Sequence, residues 1–133
     1  MVFAFRLDAR SGVPTYLQLV EQVRRGLLLG YLCDGDQLPT VREVAAALVV
    51  NPNTVAKAYR ELEREGLVAP RAGQGTFVSG SIDQIPAATY ARLSRGLRGW
   101  LRTAREAGLA PEQVRALVAA TLDDDAVSGV GVA

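Results

Sequence analysis

Histidine is absent from the 133-residue chain, and Cys33 is the only cysteine. Without a second cysteine no internal disulfide can form, and without histidine or a cysteine cluster there are no ligands for a zinc site. The same absences remove Ser-His and Cys-His nucleophile pairs, so we predict a protein that is not an enzyme and has no cofactor or metal. Cys33 is interpreted as a small residue of the core or of a turn, and the alternative is a redox-sensitive thiol.

Long apolar runs are also missing. No segment approaches the roughly 20 apolar residues of a membrane span, and charged residues interrupt the start of the chain, where a signal peptide needs an apolar run. We therefore expect a cytoplasmic protein with no membrane partner. The 15 basic residues nearly balance the 14 acidic ones. Overall charge gives no indication of nucleic acid, and only local clustering of charge can.

Hydrophobic periodicity predicts a first helix over residues 14–29, with Leu17, Val20, Leu27 and Leu28 in its apolar stripe. Two shorter helices follow, separated by a tight turn. Thr40 and Glu43 form a capping box at the start of the first of these, while Asn51 and Pro52 suit the start of the second. A short helix, a turn and a longer helix, here over residues 52–65, make a helix-turn-helix. The predicted core side of the longer helix consists of Val55, Ala58, Tyr59 and Leu62.

A short hairpin follows these helices. Residues 67–69 and 76–78 are strand candidates, and two glycines one residue apart mark a tip that needs positive φ or a close approach. Ahead of the first helix, alternating apolar residues indicate a short strand or an extended arm with one buried face. These alternating residues are Phe3, Phe5 and Leu7.

The second helix of a helix-turn-helix lies in the major groove of DNA, with its N-terminal residues at the base edges. Asn53, Thr54 and Lys57 occupy those positions here. Asparagine bonds adenine, threonine bonds a base or touches a methyl group, and lysine favours guanine or phosphate. Arg60 lies further along the same face. The alternative is an ordinary solvated polar face.

Three further features suit DNA. Arg42, in the first turn of the supporting helix, is unfavourable for the helix dipole but well placed to bind a phosphate. Arg71 and the hairpin tip are expected to reach the adjacent minor groove, because small residues permit entry there. Taken alone, two such glycines are often no more than a tight hairpin. The tip residues are Gly73, Gln74 and Gly75.

The segments PTYLQLVEQVRRGLLLGYL, NPNTVAKAYRELEREGLV and GQGTFV closely resemble the GntR family of bacterial transcription regulators. The resemblance covers residues 14–78, and the NPNTV opening and short tail are similar to the YtrA-type subfamily. It implies a winged domain that binds a palindromic operator as a dimer. It also places Arg42, Asn53, Thr54, Lys57 and the tip at DNA-contact positions.

The chain departs from many family members at Pro52 and Ala56, where they carry basic residues, so the base preferences of those branches are not expected here. The chain after residue 80 is too short for the large effector domains, or the fused aminotransferase-like domain, of other members. The resemblance further implies control of an ABC transporter operon. It leaves the small-molecule effector unknown.

Two tail helices are predicted, over residues 87–107 and 111–122, and they resemble the tail that pairs subunits in the YtrA type. A long apolar stripe and glycines inside the first helix favour a second helix that crosses closely. The alternative is an intramolecular hairpin packed on the first helix of the chain. The expected dimerisation residues are Leu93, Gly96, Leu97, Trp100 and Leu101.

The same tail helix carries a basic stripe. Its arginines are interpreted as solvated or as paired with Glu106, Glu112 and the acidic run at residues 123–125. Extra contact with the DNA backbone is the alternative. The stripe consists of Arg92, Arg95, Arg98, Arg102 and Arg105.

Together these features predict a mainly α fold with a small β-hairpin wing. A winged helix-turn-helix DNA-binding domain covers residues 1–80, a helical dimerisation tail covers 81–125, and residues 126–133 are expected to be disordered. The expected function is a repressor that binds a palindromic DNA operator as a homodimer. The alternative is a winged-helix protein-interaction module without specific DNA binding.

Overall fold

The computed structural model describes residues 3–80 and 85–131, with side chains of the last helix described as far as Ala126. This part of the chain forms five α-helices and one antiparallel hairpin, which confirms the mainly α fold with a small wing. Two compact units are formed, Met1–Ala87 and Ala88–Ala133. The elements are α1 (Thr15–Leu29), α2 (Val41–Leu48), α3 (Pro52–Arg64), β1 (Val68–Arg71), β2 (Gly75–Val78), α4 (Ala87–Glu106) and α5 (Pro111–Gly131).

The core of the first unit surrounds α3, against which α1 and α2 both pack. The Tyr59 hydroxyl donates a hydrogen bond to the Pro39 carbonyl at 2.5 Å, so it links α3 to the start of α2 and leaves no unpaired buried oxygen. Burial, with a smaller contribution from the Glu43 carboxylate, raises the pKa of Tyr59 well above its usual range. All four residues predicted for the core side of α3 are buried, namely Val55, Ala58, Tyr59 and Leu62.

The buried stripe of α1 differs from the predicted one. Leu28 is 47% exposed, so its assignment to the core was wrong, and Leu17 is only partly buried. A leucine-rich helix offers several stripes of the same spacing, and tertiary packing selects among them. Leu32 covers Gly26 where the chain folds back over α1, and a Cβ at Gly26 would lie 2.8 Å from Leu32 Cδ1. The buried apolar residues of α1 are Leu19, Val20, Val23 and Leu27.

The residues ahead of α1 form an extended arm that pairs with side chains instead of a neighbouring strand. Gln22 accepts from the Arg6 N–H at 2.8 Å and donates to the Arg6 carbonyl at 2.6 Å. Gln18 makes the corresponding bonds with Asp8 at 2.9 and 3.3 Å. Backbone groups of the arm are thereby satisfied, and Phe5 is buried in the core.

Both helices of the helix-turn-helix start with the predicted caps. Thr40 Oγ1 accepts from the Glu43 N–H at 3.1 Å, and the Glu43 carboxylate accepts from the Thr40 N–H at 3.3 Å. Asn51 Oδ1 accepts from the Asn53 N–H at 2.8 Å. In the turn between the helices, Val49 has a φ of 55° and is 89% exposed. Such a backbone conformation is costly for a β-branched residue.

The wing is fixed to the helices by the loop between α1 and α2. The Leu38 N–H donates to the Thr76 carbonyl at 2.9 Å, and the Val78 N–H donates to the Asp36 carbonyl at 2.8 Å. Cys33 is exposed in the same loop, which supports a turn residue and not a core residue. The facing pairs of the hairpin are Val68–Val78, Ala69–Phe77, Pro70–Thr76 and Arg71–Gly75.

The second unit contains α4 and α5. Helix α5 continues to Gly131, so the prediction of disorder over residues 126–133 was wrong for 126–131. A helix ending at Leu122 would place the carboxylates of residues 123–125 beyond its negative end, whereas the longer helix holds them inside. Residues 132–133, and residues 81–84 at the predicted domain boundary, lie outside the described residues.

Candidate nucleic-acid interface

Helix α3 has one buried and one exposed side. Asn53, Lys57 and Arg60 are exposed and Thr54 is partly buried, as expected for residues opposite the core face. Because Asn51 caps the helix, Asn53 and Thr54 lie in its first turn. The first two turns of α3 therefore present an amide, a hydroxyl and a cation on one continuous face.

Charged residues along α3 differ in whether they form ion pairs. At the C-terminal end, the Arg64 guanidinium donates two hydrogen bonds to the Glu61 carboxylate, one of them at 3.1 Å. These bonds lower the pKa of Glu61 and raise that of Arg64. Arg24 of α1 bonds Glu65 at 2.5 Å. Lys57, in the second turn, and Arg60, nearer the C-terminal end, form no ion pair within residues 3–80 and 85–126, so both cations stay available to an anion. Glu63 is exposed and also makes no ion pair within those residues.

Lys57 has an aromatic neighbour that sequence reasoning missed. Its Nζ lies 4.0 Å from the centroid of the Tyr16 ring, which belongs to the first turn of α1. The two residues are 41 positions apart, and no sequence spacing signals the contact.

Arg42 is exposed in the first turn of α2, directly after the capping residue. It makes no ion pair within the described side chains, since the neighbouring Glu43 is engaged in the capping box. An exposed guanidinium beside free helix N–H groups is suited to a phosphate. The structure places Arg42 on a different helix from Lys57, in the same compact unit.

The wing tip contains two glycines, and both have a positive φ. Gly73 has a φ of 72° with open space around it, so it serves the turn itself. A Cβ at Gly75 would lie 2.7 Å from Gln37 Nε2, and that amide donates to the Gln74 carbonyl at 2.9 Å. Gly75 also has a φ of 125°, which favours glycine, and a side chain there would displace the Gln37 amide from the wing. Sequence reasoning missed Gln37.

Arg71, at the end of β1, is exposed and lies over an aromatic ring of the facing strand. Its Cζ is 4.1 Å from the centroid of the Phe77 ring. Phe77 stands diagonally across the hairpin, because it faces Ala69. The guanidinium is thus held on one face of the wing, which gives the wing a cation besides its small tip residues.

The predicted dimerisation residues lie on an open face of the second unit. Leu93 is 57% exposed, Leu97 54% and Trp100 38%, and Leu101 is partly buried. Gly96 has nothing within 4 Å of the position its Cβ would take. An apolar groove of about 310 Å³ runs between α4 and α5, lined by Leu97, Trp100, Leu117, Val118, Thr121 and Leu122.

The arginine stripe of α4 makes no ion pair with any acid among the described side chains. The predicted pairing with Glu106, Glu112 and residues 123–125 is therefore not found within those residues. All five arginines are exposed, in keeping with the solvated alternative. They are Arg92, Arg95, Arg98, Arg102 and Arg105.

Two other kinds of site are absent from the described residues. These residues contain no group of three or more Cys, Asp or Glu side chains arranged to hold a metal ion. None of their helices combines the length and apolar character needed to cross a membrane.

A helix-turn-helix with exposed polar residues at the start of its second helix, followed by a glycine-tipped hairpin, defines the winged-helix class of transcription regulators. The model for bacterial regulatory proteins of the gntR family matches residues 15–78. The uncharacterized HTH-type transcriptional regulator YhcF of Bacillus subtilis (strain 168) is 37% identical over 105 residues, which cover 79% of this chain and 87% of YhcF. The chain belongs to the GntR family.

The resemblance to the YtrA type is confirmed by two further proteins. The HTH-type transcriptional repressor YtrA of Bacillus subtilis (strain 168) is 47% identical over 74 residues, which cover 56% of this chain and 57% of that repressor. The solved structure of YtrA from Sulfolobus acidocaldarius, a GntR-family transcription factor, matches with a TM-score of 0.54 and 28% identity. That match covers 76% of this chain and 99% of the solved chain.

Proposed function

We propose that this regulator is a repressor that binds a palindromic DNA operator as a homodimer. The observation that carries the proposal is the distribution of charge along α3, where Glu61 and Glu65 at the C-terminal end are paired with arginines and Lys57 in the second turn is unpaired among the described side chains. Such a helix presents its positive, hydrogen-bonding end to an anionic groove. The repressor name of a relative that is 47% identical supports the sign of regulation.

In the proposed complex, Asn53 and Thr54 meet base edges in the major groove, and Lys57 meets a guanine or a phosphate. Arg60 follows the groove wall, and Arg42 binds a backbone phosphate from the start of α2. The wing supplies the minor-groove contact through Arg71 and its tip. The two glycines of the tip, Gly73 and Gly75, which flank Gln74, admit the hairpin between the phosphate walls.

The homodimer is proposed to form through the tail. Leu93, Gly96, Leu97, Trp100 and Leu101 lie along one side of α4, where Leu93 and Leu97 are more than half exposed and Trp100 is 38% exposed. Exposed apolar surface of this extent on adjacent turns marks an interaction site. A second copy offers an identical face, and a two-fold pairing of such faces matches two half-sites about one helical turn, or a multiple of it, apart.

One finer part of the proposal rests on the family resemblance alone. We expect the regulated genes to include those of an ABC transporter. Transcript levels in a strain that lacks this gene test this expectation. Unchanged transporter transcripts would contradict it.

DNA binding is tested by titrating the full chain into a duplex from its own promoter region at several salt concentrations. The wild type should show a steep fall of affinity with salt, because each phosphate contact releases a counterion. Lys57→Ala should lose about 1–3 kcal/mol, and Arg42→Ala should reduce the salt slope by about one. Arg25→Ala is the matched control, since Arg25 is exposed next to Arg24, which binds the C-terminal end of α3.

The protein-interaction alternative predicts a different outcome. Equal, weak and sequence-independent binding by the wild type and all three variants would refute the proposed function. It would favour a winged helix used for contacts with another protein.

A further inference from the structure

Two cations of the proposed DNA interface each lie over an aromatic ring from a neighbouring element. Lys57 Nζ is 4.0 Å from the Tyr16 ring centroid, and Arg71 Cζ is 4.1 Å from the Phe77 ring centroid. Both distances fall well inside the roughly 6 Å over which the ring quadrupole attracts a cation. A cation held over an aromatic ring therefore occurs both on α3 and on the wing.

The rings are better fixed than the cations that they hold. Tyr16 is partly buried and packs against the core of the first unit. Phe77 is partly buried in the hairpin, and its backbone pairs with that of Gln37 in an isolated β-bridge. Lys57 and Arg71 are exposed, and neither makes an ion pair within the described side chains. Each ring is thus a stationary support for a side chain that would otherwise sample many rotamers.

Rotamer freedom matters because lysine and arginine lose a large side-chain entropy when a ligand immobilises them. A side chain already held in its bound conformer loses less on association, and the affinity is correspondingly higher. The cation also stays accessible, since the ring covers one side of it and leaves the other side to an anion.

We propose that Tyr16 and Phe77 are positioning residues of the DNA interface, whose rings hold Lys57 and Arg71 in the conformers that bind DNA. This inference rests on the proposed function. It adds to the DNA interface two residues, Tyr16 and Phe77, that lie outside α3 and outside the wing tip. The ring carries the effect, because the cation lies over its face and the Tyr16 hydroxyl takes no part.

The test is a double-mutant cycle with the full-length protein on a duplex that the wild type selects from a randomised pool. The variants are Tyr16→Phe, which keeps the ring, Tyr16→Leu, which removes it, and Lys57→Met, which keeps an unbranched apolar stem without charge. We expect Tyr16→Leu to weaken binding about two- to five-fold when Lys57 is present, the size of one exposed cation–π contact. Tyr16→Phe should bind as the wild type does.

The Lys57→Met background separates positioning from structural damage. There, Tyr16→Leu should cause no further loss, because no cation remains to be held. Equal losses in both backgrounds would show that Tyr16 only supports the fold and would overturn the proposal. Tighter binding by Tyr16→Leu would overturn it too, since the ring would then hold Lys57 away from DNA.

The wing offers an independent cycle of the same design. Phe77→Leu should weaken binding to a similar extent in the presence of Arg71 and have no effect beside Arg71→Gln, while Phe77→Tyr keeps the ring and the affinity. Additive losses in this cycle would remove Phe77 from the proposal.

A measurement without DNA separates this inference from the proposed function. The ε-methylene protons of Lys57 should show an upfield ring-current shift in the NMR spectra of the wild type and Tyr16→Phe, and no such shift in Tyr16→Leu. Identical Lys57 shifts in all three proteins would overturn the inference even when DNA binding is specific. A pool that yields no enriched sequence would overturn the proposed function and this inference together.

Discussion

The winged unit and the tail are both built from amphipathic helices, yet they bury very different fractions of their apolar surface. Leucine and valine side chains of α1 and α3 reach complete burial, whereas Ala104 is the only buried side chain among the described residues after Ala87. The stripe on α4 is as regular as those of the winged unit. An amphipathic pattern therefore shows that a face will be covered, but it does not show which chain covers it.

The apolar residues of the first unit therefore stabilise the fold, whereas those exposed on the tail are available for association with another chain. The first unit closes its core, pairs its wing with a loop and satisfies its buried Tyr59 hydroxyl within one chain. Truncations there should lower the free energy of unfolding. Truncations on the open face of the tail should change an association constant instead. Substitutions in the two units test this contrast.

The largest expected effect is on the stability of the first unit. Leu62 is fully buried on α3, so Leu62→Ala should lower the free energy of unfolding by about 2–5 kcal/mol, the cost of a cavity and of lost apolar burial. Leu97→Ala, the same change on the exposed tail face, should stay within about 0.5 kcal/mol in dilute protein. Urea unfolding of both full-length variants measures this, and similar losses would contradict the comparison.

The next effect is on association through the tail. Trp100 is the largest apolar residue of the proposed dimer face, and buried tryptophans dominate interface energetics. Trp100→Ala should weaken the dimer by about 2–4 kcal/mol, or roughly 30- to 700-fold. Sedimentation velocity over a concentration series measures this, with Arg98→Ala on the polar side of α4 as control. A wild type that stays monomeric at high concentration would refute the tail as a dimer interface.

A smaller effect concerns the hydrogen bond between the Tyr59 hydroxyl and the Pro39 carbonyl in the winged unit. Tyr59→Phe leaves the Pro39 carbonyl without its donor and should cost about 1–2 kcal/mol at neutral pH. Because folding raises the pKa of Tyr59 above its usual value near 10, its contribution is present below pH 10 and is lost as pH rises further. Alkaline urea titrations should show this loss for the wild type and a weaker one for Tyr59→Phe. Tyr16→Phe, at a partly exposed tyrosine, is the control and should keep the wild-type free energy of unfolding at neutral pH.

Local rules predicted most of the winged unit. The capping box at Thr40, the cap at Asn51 and the core side of α3 depend on residues within four positions of one another, so their sequence spacing determines them. The division of α3 into a polar and an apolar side follows from the same periodicity. The exposure of Asn53, Lys57 and Arg60 was therefore predictable without tertiary information.

What the sequence did not predict depends on contacts between distant residues. Tyr16 and Lys57 lie on separate helices, and Gln37 meets the wing tip only after the loop has folded back. The stripe of α1 was misplaced at Leu28 because several leucine registers fit one helix, and only packing against α3 distinguishes them. The length of α5 was underestimated because charged residues were taken as an end signal.

A modest effect is expected in the turn of the helix-turn-helix. Val49 holds a φ of 55° without packing on the core, so Val49→Gly should relieve backbone strain and raise the free energy of unfolding by about 1 kcal/mol. Val50→Gly, one residue later and partly buried, should destabilise the protein. Thermal unfolding compares the two. A destabilised Val49→Gly would show that its exposed side chain has a stabilising contact after all.

The smallest expected change in free energy is that of Gly96→Ala in the tail. This substitution should stabilise the monomer but weaken the dimer, so it distinguishes the two units most clearly. A Cβ at Gly96 meets open space, so Gly96→Ala should stabilise α4 by about 0.5–1 kcal/mol in the monomer, where glycine costs helix stability. If a second copy crosses α4 at this point, the added methyl group must weaken the dimer. Circular dichroism of dilute protein measures the stability of the helix, and sedimentation of concentrated protein measures the strength of the dimer. A helix gain without a dimer loss would place the crossing elsewhere on the open face, because a glycine that lets two helices approach cannot be replaced without cost to their pairing.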